Sequence, residues 1–477
     1  MSLNNGPLSQ ENIEFLVSNI KKVNAIDVKN YERYGVKRGL RNADGTGVMA
    51  GLTRVCSVDG YYLNDGEKVP HEGHLYYRGF DMSKIVENAM EDERFGFEEV
   101  AWLLIFGFLP DKAQLDTFSE ILGKCRELPD GFSEDMIMKM PSKDIMNMLA
   151  RLVLALYSYD ENPDDTSVEN VIRQSIQLIA RMPALMAYSY QVKRRHFYGK
   201  SMYIHPIKPA QTTAECILNS IRSNRKFTRE EALLLDTCLM IHAEHGGGNN
   251  SSFATRVLTS SGTDTYSAIA AGIGSLKGPR HGGANLKVAG MIADIMANAG
   301  DYTNDNNVED YLCKIIKKEA YDRSGLIYGM GHAVYTLSDP RAVILKEEAR
   351  KFSEKLGMTE EFNLIDAVER LTPEIFRKYK GINKNICANV DLYSGFIYKM
   401  LGIPEDLFTP LFATARVTGW LAHRIEEITT GNKIIRPAYK SVASKRDYIK
   451  LEDRAYDYTL NTEYVPASER IEKKNRV

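Results

Sequence analysis

The chain is predicted to be mostly α-helical, with one small β-hairpin near its N-terminus. Three observations carry this. From residue 81 onward, helix caps and stops recur, with apolar stripes at helical spacing between them. Only residues 55–63 are dense in β-formers. No internal repeat, low-complexity tract or Pro/Ser-rich linker interrupts the rest, so the domains are expected to be discontinuous or tightly packed.

Residues 1–50 are polar and mixed, with one amphipathic stretch at 13–23. In VCSVDGYYL at 55–63 the β-formers are broken by Asp59-Gly60. Asn64-Asp65-Gly66 follows as a turn signal, which predicts the hairpin. Asp81 is placed to cap a helix running through Ile85 and Val86. Residues 97–106 read as a short apolar helix stopped by Gly107, with Pro110 beyond. Thr228 and Glu231 fit a capping box ahead of a buried helix at 232–241. Asp339-Pro340 begins another helix, whose stripe is Leu345, Ala349, Phe352 and Leu356 and whose stop is Gly357. Thr409-Pro410 begins a last one, with Val417, Leu421, Ile425 and Ile428 on one face and Gly431 as its stop.

Composition narrows the function classes. The 477 residues are 44% hydrophobic and 26% charged, as in a soluble globular protein with a sizeable core. Lys plus Arg number 61 against 63 Asp plus Glu, so no global basic field favours nucleic acid or an anionic membrane. Any anion site must be built locally. The six cysteines show no CxxC spacing, which favours a reducing compartment over a disulfide framework or zinc ribbon. No basic leader precedes an apolar run, and the longest apolar run, at 100–109, is far short of the ~20 residues a membrane helix needs. The expected location is the cytoplasm, away from any membrane.

The chemistry-bearing residues gather in a few segments. IHAEHGGGN at 241–249 is followed by GPRHGGAN at 278–285, and GMGHAVY at 329–335 by SDPR at 338–341. A loop histidine is ordinarily held by backbone. Here glycines crowd His245, His281 and His332, and small residues let backbone and ligand approach closely. Arg341 falls on the inward stripe in the first turn of its helix. A cation there calls for an anion between it and the positive helix end, or for a buried carboxylate partner. Arg416 lies one turn before Trp420, near an apolar face, and Arg436 precedes Pro437 in an extended segment. Several converging guanidinium groups suit a di- or tricarboxylate, which they hold bidentately. Asp391 in NVDLYSG is either a general base with a raised pKa or a helix N-cap. No metal is expected: His71, His74, His242 and His245 form two pairs spaced three apart, which is not HExxH, so a zinc hydrolase is a distant alternative. Gly272, Gly274, Lys277 and Gly278 fit neither dinucleotide nor P-loop spacing.

Taken in order, YRGFD at 77–81, FEEVAWLLIFGFLP at 97–110, the segment 241–285, GMGHAVY with DPR, NVDLYSG and ATARVTGWLAH at 413–423 resemble the citrate synthase family, which includes 2-methylcitrate synthases. The resemblance spans roughly residues 50–440. It implies a multi-helical homodimer with a large domain, 1–285 and 403–477, and a small domain, 286–402, closing over the substrates. It also implies condensation of acetyl-CoA with oxaloacetate and water to citrate and CoA, with propionyl-CoA and 2-methylcitrate as the runner-up. Acetyl-CoA is then a co-substrate, and no cofactor is needed.

By position, the resemblance assigns His281, His332 and Asp391 as the catalytic trio. It makes His245, Arg341, Arg416 and Arg436 the oxaloacetate and citrate ligands, the last reaching in from the partner subunit. Gly329, Met330 and Gly331 resemble the loop that wraps the coenzyme A adenine. The chain departs from many bacterial members at Ala333 and Thr336, where a basic residue is common, so the coenzyme A phosphates fall to Lys277, Arg280 or others.

Overall fold

A computed structural model describes residues 10–21, 26–42, 44–65, 67–381, 385–430, 433–443 and 447–453. It divides into two units, residues 1–50 with 436–477, and residues 51–435. The first unit holds helix α1 (Gln10–Lys21), which covers most of the amphipathic stretch; residues 22 and 23 lie outside the described residues. In the same unit the Lys440 ammonium lies 5.4 Å from the centre of the Tyr34 ring. Residues 286–402, expected as a small domain, fall wholly within the second unit.

The second unit opens on strands β1 (Cys56–Asn64) and β2 (Glu67–Tyr77), with a short β3 (Phe80–Asp81) on the far edge of β2. β1 and β2 pair antiparallel from Cys56↔Tyr77 to Asn64↔Glu67. Asp59-Gly60 does not break the strand but marks a shift of register within it, as a bulge does. The turn falls at Asp65, and Gly66 lies outside the described residues.

Local signals set the helix boundaries. The Asp81 side chain accepts from Ser83 N and starts α2 (Met82–Glu91). Helix α3 (Phe97–Phe106) stops at Gly107, whose φ of 87° suits a residue without Cβ. Thr228 and Glu231 form the expected capping box, and the helix it starts is α5 (Arg229–His242). Helix α9 (Pro340–Leu356) is capped by Asp339 and closed by Gly357. Its stripe is buried at Leu345, Ala349 and Phe352, but Leu356 is 48% exposed, because the helix ends before that turn meets the core. The last helix, α12 (Phe408–Thr430), starts one residue earlier than expected, and Gly431 lies outside the described residues.

Two helices contradict the usual reading of proline as a breaker. Helix α4 (Val168–Tyr198) runs 31 residues through Pro183, and α10 (Thr359–Lys380) runs through Pro373. An interior proline costs ~3 kcal/mol. α4 buries side chains along most of its length, among them Leu178, Ile179, Leu185 and Met186. Each such side chain contributes ~1.5–3 kcal/mol, so burial wins. α12 packs along α4, and its Trp420 is fully buried. α9, α10 and α11 (Asp391–Met400) pack together, as do α6 (Asn250–Thr259), α7 (Thr265–Lys277) and α12. Among the described residues no helix is long and apolar enough to cross a membrane.

Candidate active site

α5 ends at His242, and the turn after it carries Glu244, His245 and Gly246. The Tyr77 hydroxyl fixes this turn, lying 3.1, 3.1 and 3.2 Å from the carbonyl oxygens of Met240, Ile241 and Glu244. His245 Nε2 is buried without a hydrogen-bond partner. Burial, and then the positive charge of Arg341, hold its pKa well below the usual histidine value, so the ring is neutral.

His281 lies in the turn between α7 and α8 (Ala284–Asn298). Its backbone N–H donates to Gly278 O at 2.8 Å, and its Nε2 lies 2.8 Å from Ser251 Oγ at the start of α6. Burial, then Arg416, lowers its pKa to about 4. This ring too is neutral at pH 7.

The segments carrying His332 and Asp391 are tied to each other. Gly331 N donates to Cys387 O at 2.8 Å, Asn389 N to Gly329 O at 2.8 Å, and Asn389 Nδ2 to Gly331 O at 3.0 Å. Met330 and Ala388 form an antiparallel bridge. Gly329 has a φ of +83°, and a Cβ there would meet Leu392 at 2.8 Å, so only glycine fits this junction. Gly329, Met330 and Gly331 thus position His332 and Asp391 through their backbone.

His332 Nδ1 accepts from the backbone N–H groups of Val334 and Tyr335, both at 3.1 Å. Two donors on Nδ1 place the proton of the neutral ring on Nε2. The ring stacks on Tyr335 at 4.7 Å and meets the His245 ring edge-on at 5.1 Å. The hairpin holds this loop from outside: Tyr335 OH donates to His74 O at 3.1 Å, and Gly73 N to Ser338 Oγ at 3.1 Å.

Asp391 is the first residue of α11, one place inside the N-cap position, which Val390 holds without a side-chain bond. Asn389 Oδ1 accepts from Asp391 N at 3.0 Å instead, which leaves the Asp391 carboxyl out of the capping role. Burial raises its pKa to about 6, against the pull of Arg341 and Arg416.

The two buried arginines differ. Arg341 donates through Nε and Nη2 to the two oxygens of Asp339, at 3.0 and 2.7 Å. Burial opposes its charge, but Asp339 more than offsets that and raises its pKa. Arg416 has no carboxylate against it. Its Nε donates to His242 O at 2.5 Å, its guanidinium lies 4.6 Å from the centre of the Phe412 ring, and its Nη2 is buried without a partner. Burial lowers its pKa.

The structure therefore gathers six of the expected residues: Arg341 and Arg416 act on His245 and Asp391, Arg416 acts on His281, and His332 meets His245 edge-on. Arg436 is exposed and belongs to the other unit. Lys277 is exposed and lies 3.2 Å from Asp144, Arg280 and Ala333 are exposed, and Thr336 Oγ1 is buried without a partner. The zinc alternative finds no support. His71 Nε2 lies 3.2 Å from Asp59, His74 Nδ1 lies 3.3 Å from Asp81, and His242 sits in the core 4.4 Å from the Phe412 ring. Among the described residues no group of three or more His, Cys, Asp or Glu side chains is arranged to hold a metal.

The sequence model described as "Citrate synthase, C-terminal domain" matches residues 42–438, most of the chain. The chain belongs to the citrate synthase family. Among its relatives, the citrate synthase of Haloferax volcanii is 32% identical over 88% of this chain and 99% of its own. That of Synechocystis sp. is 32% identical over 89% and 93%. The 2-methylcitrate synthase 1 of Corynebacterium glutamicum is 31% identical over 85% and 98%. Among solved structures, the Thermoplasma acidophilum citrate synthase in ternary complex with carboxymethyl coenzyme A and oxaloacetate superposes with a TM-score of 0.69. It is 28% identical, with 88% of this chain and 99% of that one covered. Family membership accounts for the mostly helical fold with its small sheet.

Ser251, Asn389, Asp339 and Tyr335 escaped sequence reasoning as site residues. Ser251 reaches His281 and Asn389 reaches Gly331 O from 30 and 58 residues away, and no spacing within their own segments advertises those partners. Asp339 was visible only as a cap, yet the same carboxylate also holds Arg341.

Proposed function

We propose that the chain condenses acetyl-CoA with oxaloacetate and water to give citrate and CoA. The observation that carries this is the set of three differently prepared groups facing two buried arginines. They are a raised carboxyl at Asp391, a neutral ring at His281, and a neutral ring at His332 with its proton on Nε2. In the tautomer in which Nε2 of His281 accepts from Ser251, its Nδ1–H is the donor for the thioester oxygen. Asp391 takes a proton from the thioester methyl, and His281 stabilises the oxygen charge that develops. The enol carbon then attacks the oxaloacetate ketone, which His332 Nε2–H polarises and protonates as the alkoxide forms. His245, Arg341 and Arg416 hold the carboxylates and so fix the angle of attack. Water then hydrolyses the citryl thioester, releasing CoA.

Closure of residues 286–402 over the remainder, 1–285 with 403–477, excludes water until the carbon–carbon bond has formed. Gly329, Met330 and Gly331 offer backbone to the coenzyme A adenine. The enzyme works in the cytoplasm without a resident cofactor or metal. Relatives at 32% and 31% identity carry both activities, so propionyl-CoA and 2-methylcitrate form the second reading.

Purified protein with oxaloacetate and acetyl-CoA is expected to release free thiol and form citrate, unaffected by EDTA. Faster turnover of propionyl-CoA selects the second reading. Absence of oxaloacetate-dependent thiol release with either thioester overturns both.

Arg436 completes the carboxylate clamp of the partner subunit in a two-fold dimer. Asp391→Ala and Arg436→Leu, each nearly inactive alone, are expected to recover activity on co-expression. Random pairing makes about half the dimers mixed, with one intact site each, so about a quarter of wild-type activity returns. No recovery, with mixed dimers present by mass spectrometry, refutes the shared site.

A further inference from the structure

We propose that Glu244 and His423 are positioning residues for the oxaloacetate site, an inference that rests on His245 and Arg416 serving that substrate. The geometry points to them because a continuous buried polar chain runs away from the site at this place. His423 Nε2 lies 2.9 Å from Glu244 Oε1, and both side chains are fully buried. Arg256 Nη2 lies 2.7 Å from the other ring nitrogen, Nδ1 of His423. The same guanidinium is held by Glu426, by Glu427 at 2.9 Å and by Thr53 at 3.2 Å. Glu426 in turn accepts from Arg54 N at 2.6 Å.

An arginine only donates, so His423 Nδ1 must accept and His423 Nε2–H must donate to Glu244. Every member of the chain is thereby given one orientation. Glu244 is the residue before His245, so fixing its side chain fixes the turn that aims His245. Burial pushes the Glu244 carboxyl up, but the hydrogen bond from His423 and the charge of Arg416 hold it below the ordinary glutamate range. It therefore carries a full negative charge beside an arginine that has no carboxylate partner of its own.

The backbone agrees. Gly419 N donates to Ala243 O at 3.2 Å, binding α12 to the same turn. A Cβ at Gly419 would come within 1.9 Å of Glu244 Oε2 and 2.5 Å of Ala243 O, so α12 approaches this turn as closely as a helix backbone allows. Arg416, Gly419 and His423 lie on successive turns of α12, three or four residues apart, and so share one face. One helix face thus presents a substrate arginine, a contact glycine and the histidine that orients the opposing turn.

The test compares His423→Leu with His423→Gln in steady-state kinetics and in calorimetry of oxaloacetate binding. Leucine removes both ring nitrogens. A glutamine amide donates to Glu244 and accepts from Arg256 with a similar spacing of its two polar atoms. His423→Leu is expected to raise KM and Kd for oxaloacetate roughly tenfold or more, with KM for acetyl-CoA unchanged, because misaimed ligands cost affinity and orientation. His423→Gln is expected to recover most of that loss. A merely structural histidine would lower stability and the yield of active sites, and leave KM for oxaloacetate in place. If His423→Leu does not fold, Gly419→Ala carries the test, since it displaces the turn without removing a polar group; it is expected to raise KM for oxaloacetate likewise. Unchanged oxaloacetate affinity in the variants, or a glutamine no better than leucine, overturns the inference. Wild-type protein without oxaloacetate-dependent thiol release would sink the proposed function itself, a separate outcome.

Discussion

Asp391→Asn is expected to lower kcat by about 10²–10⁴-fold, the range for loss of a general base, while oxaloacetate binds as before. Asparagine keeps the shape and cannot take the proton. Asp391 lies one place inside the N-cap position, and the helix start is served by the Asn389 side chain, so the substitution leaves α11 intact. The pH profile carries the same assignment. With a pKa of about 6, Asp391 is a carboxylate at pH 7 and above, and wild-type activity falls as pH drops through 6. His281, at about 4, stays neutral across that interval and contributes no limb there.

Stability moves in the opposite direction. Asp391 has a folded pKa above the model-peptide value, so the fold disfavours its ionised form. That cost is absent below the unfolded value of about 3.8 and complete above about 6. Asp391→Asn removes it, and the variant should melt at or above the wild-type temperature at pH 8 and lose that advantage at pH 4. Kinetics and calorimetry on one preparation decide the matter. Near-normal turnover would show that Asp391 is not the base.

The contrast between Asp391 and the helix caps explains what the sequence could disclose. Thr228 with Glu231, Asp339 with Pro340, and Gly107 each act on backbone within four residues, so their signals sit beside the helices they bound. Helix α4 hid behind Pro183 because the energy that overrides the proline comes from burial against distant segments, α12 among them. The site divides the same way. Glycines around His245, His281 and His332 are local and were legible. The oxygen of Ser251 against His281, and that of Glu244 against His423, join positions 30 and 179 residues apart, and no periodicity announces such pairs. For Arg341 the residues left two options, a bound anion or a buried carboxylate. The structure places the carboxylate, Asp339, against one edge of the guanidinium, and this separates Arg341 from Arg416.

That separation sets the other large effect. Arg341→Leu and Arg416→Leu are both expected to weaken oxaloacetate binding by roughly 10²–10⁴-fold. Each charged hydrogen bond contributes ~1.5–3 kcal/mol, and a guanidinium offers two to a carboxylate. Their effects on the fold should differ. Arg341→Leu strands the Asp339 carboxylate, 1% exposed, with no cation beside it. Breaking a buried pair from one side costs about 3–5 kcal/mol, so the urea midpoint should fall sharply. Arg416→Leu strands no carboxylate in contact with it. It gives up one hydrogen bond to His242 O, about 1 kcal/mol, and relieves the burial of a guanidinium whose Nη2 has no partner. Glu244 keeps His423 but loses the charge of Arg416, so the midpoint should fall, though by less than that of Arg341→Leu. Calorimetry with oxaloacetate and urea titration of the two variants therefore read different columns of the same site. Wild-type affinity in Arg416→Leu would remove this arginine from the dicarboxylate clamp. Equal stability of the two variants would mean that Asp339 finds another partner once Arg341 is gone, and that the ion pair is not what holds the start of α9.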